Sequence, residues 1–353
     1  MRRGAPALTD AVPAPDEIGG LVVSEQRVLV PTSRNWYRIV SAGAILDFEN
    51  AMARSAVVDF VEVPPLGRRA HLQALLSGSR PNRISLDGDY DLCFLAVFQP
   101  SDIRALAALH GLRRHCRRVV VYVFDAWVSS TASLRRHRSS WRLCDKVYVS
   151  YPAAVEAWRG HVGCPVEYMP QAIDPARFHP QTARPIDVLS VGRRLESVHR
   201  QLRSIADRHN LWYQFSESRA PSAIDLEDSQ FLLARLCRSA RVQICWPVEA
   251  THGESRRSGY SAADGSPITA RWFEAAASGS IVMGTKPASA EFDRLFPSET
   301  LVRELPRASE RQLERELLEA VSDDEDIRSR EAFAEYVRTH HSWQVRCAEV
   351  LAG

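Results

Sequence analysis

The stretch Ile268-Thr269-Ala270-Arg271-Trp272-Phe273-Glu274-Ala275-Ala276-Ala277-Ser278-Gly279-Ser280-Ile281-Val282-Met283-Gly284 decides how the chain is read. Ser266 and Thr269 offer oxygens to cap a helix over Thr269 to Ser278, Gly279 can end it, and an apolar strand follows at once. Glu274 lies near the start of that helix beside Phe273, where a carboxylate turned toward the core must find partners. In a ligand cleft its two oxygens would accept both hydroxyls of a ribose. The N–H groups at the helix N-terminus and the Arg271 guanidinium would then meet phosphate oxygens. A buried structural carboxylate is the competing reading of the same residues.

Outward from this unit the chain keeps one pattern, short runs rich in Val, Ile and Tyr alternating with stretches of helical period. Parallel sheets with crossover helices produce that pattern. Expected strands are Arg27 to Val30, Val57 to Val61, Leu92 to Val97, Arg118 to Phe124 and Lys146 to Val149. Helical composition marks Ala42 to Arg54, His71 to Leu76 and Ser101 to Leu112. A second series has strands at Ile186 to Val191, Trp212 to Ser216, Val242 to Trp246 and Ser280 to Gly284. Its helices are expected over Leu195 to Arg208, Asp228 to Ser239 and Glu310 to Ala320, with a final element after Ser342. Pro170, Pro175, Pro180 and Pro185 interrupt regular structure between the two series. The expected organisation is a flexible tail over 1–24, an α/β domain over 25–165, a linker over 166–185, a second α/β domain over 186–335 and a crossing helix over 336–353.

In order, these pieces resemble glycosyltransferases of the GT-B fold, of the family 1 and family 4-like bacterial kind. The helix bearing Phe273-Glu274-Ala275 and Gly279 is similar to their nucleotide-binding segment. Leu143 to Ser150 is similar to the last strand of their first domain, Met169 to Asp174 with Phe178-His179-Pro180 to their linker, and Pro185 to Arg194 to the first strand and basic loop of their donor domain. Ser342-Trp343 and the terminal helix resemble their chain end. The resemblance covers about residues 140–350 and implies two Rossmann-like domains facing a cleft. It further implies a nucleotide diphosphate sugar as donor substrate, with no other cofactor, and a hydroxyl acceptor. The chain departs from the family 4 pattern at Ser266, where a first Glu stands eight positions before the ribose-binding one. No Gly-Gly pair follows the first strand, only Ser33 to Arg38.

The resemblance assigns donor contacts to Gly192, Ser266, Thr269, Arg271 and Glu274. Arg193 or Arg194 would neutralise the diphosphate, the two being equally placed by sequence, and preorganised cations stabilise such developing charge by a few kcal/mol. Asp125 follows a strand at its carboxyl end, where open α/β sheets place ligands. It is the candidate at the acceptor hydroxyl, a capping role being the alternative. His252 and Tyr260 lie in a Gly/Ser-rich loop able to close over phosphates.

Composition removes other classes. With 353 residues, 45% hydrophobic and 25% charged, 17 Gly and 20 Pro, the chain is neither fibrous nor disordered and has room for two cores. Lys+Arg 45 against Asp+Glu 43 leaves a net charge of +2, so no overall field draws it to nucleic acid. No run of eighteen apolar residues spans a membrane, though peripheral contact stays open. Seven scattered Cys without a Cys-x-x-Cys pair fit reduced thiols and a cytoplasmic home. Asp87 to Asp91 suggests an acidic metal motif, but Phe98 stands where a calcium loop needs Glu, and His340-His341 are adjacent rather than one turn apart. No metal site is expected. Two further readings of the fold remain, a non-hydrolysing nucleotide-sugar 2-epimerase and a catalytically silent scaffold motivated by Ser266.

Overall fold

The structure is a computed structural model that describes residues 23–32, 34–37, 40–64, 84–216, 225–251, 262–298, 301–305, 309–323 and 327–353. The expected tail, apart from its last residues, and the expected helix over His71 to Leu76 lie outside the described residues.

Two parallel sheets carry the architecture. The strands in chain order are β1 Ser24–Thr32, β2 Ala56–Glu62, β3 Ile84–Ser85, β4 Tyr90–Val97, β5 Leu109–His110, β6 Cys116–Val123, β7 Lys146–Val149, β8 Val166–Tyr168, β9 Ile186–Val191, β10 Tyr213–Ser216, β11 Ala240–Cys245, β12 Ile281–Gly284 and β13 Val302–Glu304. The first sheet has the order β2-β1-β4-β6-β7-β8 and the second β10-β9-β11-β12-β13, with β3 and β5 forming a two-stranded pair. The central strands are buried on both faces because helices cover both, which is why they read as mostly apolar segments.

Three expected boundaries are corrected. Val166–Tyr168 pairs in register with β7, Val147 opposite Val166, so it belongs to the first sheet and the connection begins after it. The stretch Ser101 to Leu112 is not one helix. It breaks into a 3-10 turn Pro100–Arg104, a single helical turn Ala105–Ala108 and β5, and Gly111 then turns the chain with φ 73°. The return to the first domain is made by Trp343–Ala352, while the helix before it, Ile327–His340, packs on Ala270–Ala277 in the second.

The chain crosses between domains twice at one place. Ile173 donates its N–H to His341 O at 3.0 Å and accepts from the Trp343 N–H at 2.9 Å, so the outgoing and returning segments are bonded side by side. Trp343 then stacks on Phe48 with ring centroids 4.5 Å apart and meets Tyr122 and Phe124 edge-on, completing one of the two cores of the first domain. A polar contact adds to the junction. Gln230 Nε2 donates to Asp47 Oδ2 at 2.7 Å, Arg177 Nε lies 3.2 Å from Asp47 Oδ1, and Arg54 pairs with Asp174 at 3.1 Å. These bonds tie the helix Gly43–Ser55 of the first domain to the connection and to the helix Leu226–Ser239 of the second.

Candidate active site

The second sheet delivers its residues at strand ends. β9 runs out at Val191, and Gly192 follows with φ 92°, a conformation that side chains with a Cβ rarely adopt. A Cβ there would also reach the Arg271 guanidinium, 4.0 Å from Nη2, so Gly192 and Arg271 are neighbours. Arg193 then turns into the cleft and its Nη2 donates to Thr269 Oγ1 at 3.5 Å. Arg194 turns the other way, pairing with Glu196 at 3.3 Å and covering the Phe215 ring. The basic loop therefore splits, one arginine to the cleft and one to the sheet edge.

Helix Ala270–Ala277 points its N-terminus at the same place. Neither expected cap operates. Thr269 occupies the N-cap position without a side-chain cap bond, its hydroxyl accepting from Arg193 instead, while Ser266 Oγ donates to Glu249 Oε1. The first helical N–H, of Ala270, goes to Gln171 Oε1 at 2.8 Å, a side chain contributed by the connection between domains. Gly279 ends the helix with φ 66°, as its position suggests. Close approach governs the next strand too, since a Cβ on Gly284 would lie 1.8 Å from Cys245 O.

Glu274 is 5% exposed, and Arg271 Nη1 lies 2.7 Å from its Oε2 across one helical turn. Burial pushes the Glu274 carboxyl up and Arg271 opposes that shift. The ion pair gives this acid the partner that an interior position requires, and it ties Glu274 to Gly192 through the same guanidinium.

The first sheet meets this group with Asp125. Its backbone N–H is bonded to Phe98 O at 2.8 Å, which fixes it just past the carboxyl end of β6. Tyr151 Oη donates to its Oδ1 at 3.4 Å. Burial pushes the Asp125 carboxyl up to about 7, against the opposing charge of Arg193 and the Tyr151 bond. Arg193 thus acts on a carboxyl of the other domain. The walls also touch, as Trp127, Tyr151 and Val248 form one apolar cluster and Asp264 accepts the Val128 N–H.

Gly192, Arg193, Thr269, Arg271, Glu274 and Asp125 are therefore linked around one cleft, and Ser266 joins through Glu249. Arg194 does not join. Sequence reading assigned no role to Gln171, Tyr151 or Glu249, because their places follow from strand ends and crossings that no spacing encodes. His252 and Tyr260 lie outside the described residues. The acidic stretch at Asp87 to Asp91 sits at the amino end of β4, where Asp91 pairs with Arg117 at 3.0 Å, far in topology from the carboxyl edge. Burial lowers His341 to about 4, and its ring bonds Leu295 O and Arg346. Among the described residues no group of three or more His, Cys, Asp or Glu could hold a metal ion. No helix among them is long and apolar enough to cross a membrane.

Comparison with known proteins bears on the fold. Residues 233–352 match the family model described as glycosyl transferase-like. No curated protein matches the sequence. Among solved structures, an α-glucosyltransferase in complex with UDP and a 13-mer DNA containing a central A:G mismatch is 12% identical, with TM-score 0.57, covering 93% of this chain and 98% of that one. AviGT4, a glycosyltransferase involved in avilamycin A biosynthesis, is 13% identical with TM-score 0.46 over 93% and 96% of the two chains. A glycosyltransferase from Rickettsia africae ESF-5 is 10% identical with TM-score 0.48 over 93% and 97%. The first of these likenesses is one of fold, and with it the expected two-domain α/β class stands.

Proposed function

We propose that this GT-B chain, glycosyl transferase-like over its donor side, moves a hexosyl group from a nucleotide diphosphate sugar to a hydroxyl of an acceptor. The observation that carries this reading is the meeting, at the carboxyl edges of both sheets, of the Gly192-Arg193 turn, the Thr269–Arg271 helix start and Asp125. Each part has a separate chemical task.

Gly192 lets the backbone approach the diphosphate, and Arg193 and Arg271 offset its charge as the bond from the anomeric carbon to the leaving oxygen breaks. Glu274 takes the ribose hydroxyls once Arg271 turns to phosphate. Asp125, held by Tyr151, accepts the proton of the attacking hydroxyl. Arg194 is left out of this assignment, and Ser266 acts through Glu249 rather than on phosphate. The donor is a substrate, and no further cofactor or divalent metal enters the reading.

A thermal-shift panel of UDP, GDP, dTDP and their sugar conjugates tests it, run with and without a chelator. A nucleotide at 100 times its Kd stabilises the fold by about 2.7 kcal/mol. The reading predicts that one base family produces such a shift, that the chelator does not remove it, and that the matching conjugate is consumed when a hydroxyl acceptor is supplied. Absence of stabilisation by every nucleotide overturns it.

A further inference from the structure

We infer that Glu249 supplies the carboxylate that binds the donor's sugar, and that Ser266 holds it in place. The inference deepens the proposed transfer reaction and rests on it.

Glu249 opens a 3-10 turn, Glu249–Thr251, four residues beyond the carboxyl end of β11. Ser266, on the segment leading into helix Ala270–Ala277, donates its hydroxyl to Glu249 Oε1. That bond uses one oxygen only. The other, Oε2, is buried and has no hydrogen-bond partner among the described residues. A carboxylate oxygen in that condition is costly and calls for a partner that arrives later.

Its surroundings identify that partner as part of the donor. Burial pushes the Glu249 carboxyl up, opposed first by its own backbone N–H and then by Arg193, which also acts on Asp125. Val248, the preceding residue, packs against Trp127 and Tyr151 of the first domain, and Tyr151 is the residue bonded to Asp125. Asp264, two residues before Ser266, accepts the Val128 N–H across the cleft. Both arms of the Glu249–Ser266 pair are thus pinned where the two domains meet, between the group for the leaving diphosphate and the group for the acceptor. The sugar in transit occupies that interval. Its hydroxyls are O–H donors, and an acceptor-only carboxylate oxygen is their complement.

The serine at 266 fits the same account. A carboxylate there would confront Glu249 at hydrogen-bonding range, and two like charges so close cannot both ionise. A neutral donor at 266 permits the acid to stand at 249.

The test compares paired ligands on the full chain: UDP with UDP-glucose, GDP with GDP-mannose and dTDP with dTDP-glucose, each titrated into wild type, Glu249→Ala, Glu249→Gln and Ser266→Ala. For the pair that wild type binds best, Glu249→Ala should weaken the sugar conjugate tenfold or more while the plain diphosphate changes less than threefold. Ser266→Ala should fall between, because the carboxylate remains but is no longer oriented. If Glu249→Ala does not fold, the isosteric Glu249→Gln carries the same comparison. A ratio of the two Kd values that is unchanged in the folded Glu249 variant overturns the inference and leaves the proposed transfer intact. Failure of wild type to bind any of the diphosphates removes both.

Discussion

Arg271 holds Glu274 at 2.7 Å on the same helix, so the acid proposed for ribose is, in the ligand-free chain, the counter-ion of the base proposed for phosphate. On the proposed assignment the two roles succeed one another, a diphosphate that draws Arg271 away releasing the carboxylate to the hydroxyls.

Glu274→Gln should therefore show two effects. The ligand-free protein loses about 1–3 kcal/mol, because a buried guanidinium loses the opposite charge beside it. Nucleotide affinity falls by about 1.5–3 kcal/mol, roughly ten- to a hundredfold. Melting curves read the loss of the ion pair, and titration with a nucleoside diphosphate and its 2′-deoxy form reads the loss of affinity. Equal preference between those ligands in wild type and variant would mean that Glu274 serves Arg271 alone.

The two adjacent arginines should separate in the same assay. Arg193→Ala removes a charged donor from the cleft, and diphosphate affinity should drop by about 1.5–3 kcal/mol. Arg194→Ala, which loses contacts to Glu196 and Phe215, should change affinity less than about threefold, in line with an exposed pair. Equal losses from both would contradict the split seen in the loop.

Transfer should depend on pH through Asp125. Burial raises its carboxyl to about 7, so the proton-accepting form is the minority species below that value. The rate then climbs about tenfold per unit as pH approaches 7 from below and levels off above it. Asp125→Asn should abolish this step and cost about a hundredfold or more in rate. The sign for stability is opposite. Between the ordinary value, 3.8, and about 7 the folded chain holds a proton that the unfolded chain has lost, so stability declines over that window as pH rises. A rate profile that is flat from pH 5 to 8 would remove Asp125 from the chemistry.

What was legible in the sequence followed from period and punctuation. Lys146–Val149 and Ile186–Val191 emerge with the expected ends because most of their residues are apolar and buried, and Gly279 ends its helix in the left-handed conformation. Val166–Tyr168 escaped notice because three residues before a proline-rich connection carry too little pattern to separate strand from linker. In the site, Glu274 and Arg271 stood out as residues near the start of one helix, but their pairing one turn apart was not read. The choice between Arg193 and Arg194 was not, because adjacent residues diverge by backbone direction, which Gly192 sets through its positive φ. Glu249 and Ser266 meet across seventeen positions of chain. Only the packing of two strand ends brings them together, and no periodicity marks such a meeting.

The placement of Trp343 has a consequence for biosynthesis. Translation is vectorial, and domains commonly fold in the order they emerge. Here the first α/β unit leaves the ribosome with a vacancy between Phe48 and Phe124, and the indole that fills it arrives after every strand of the second unit. The half made first is the half finished last. A nascent chain stalled before Trp343 would expose aromatic surface on its amino-terminal unit throughout the pause, so arrival of the helix Trp343–Ala352, rather than completion of the sheet, is the event that commits that unit to its native packing.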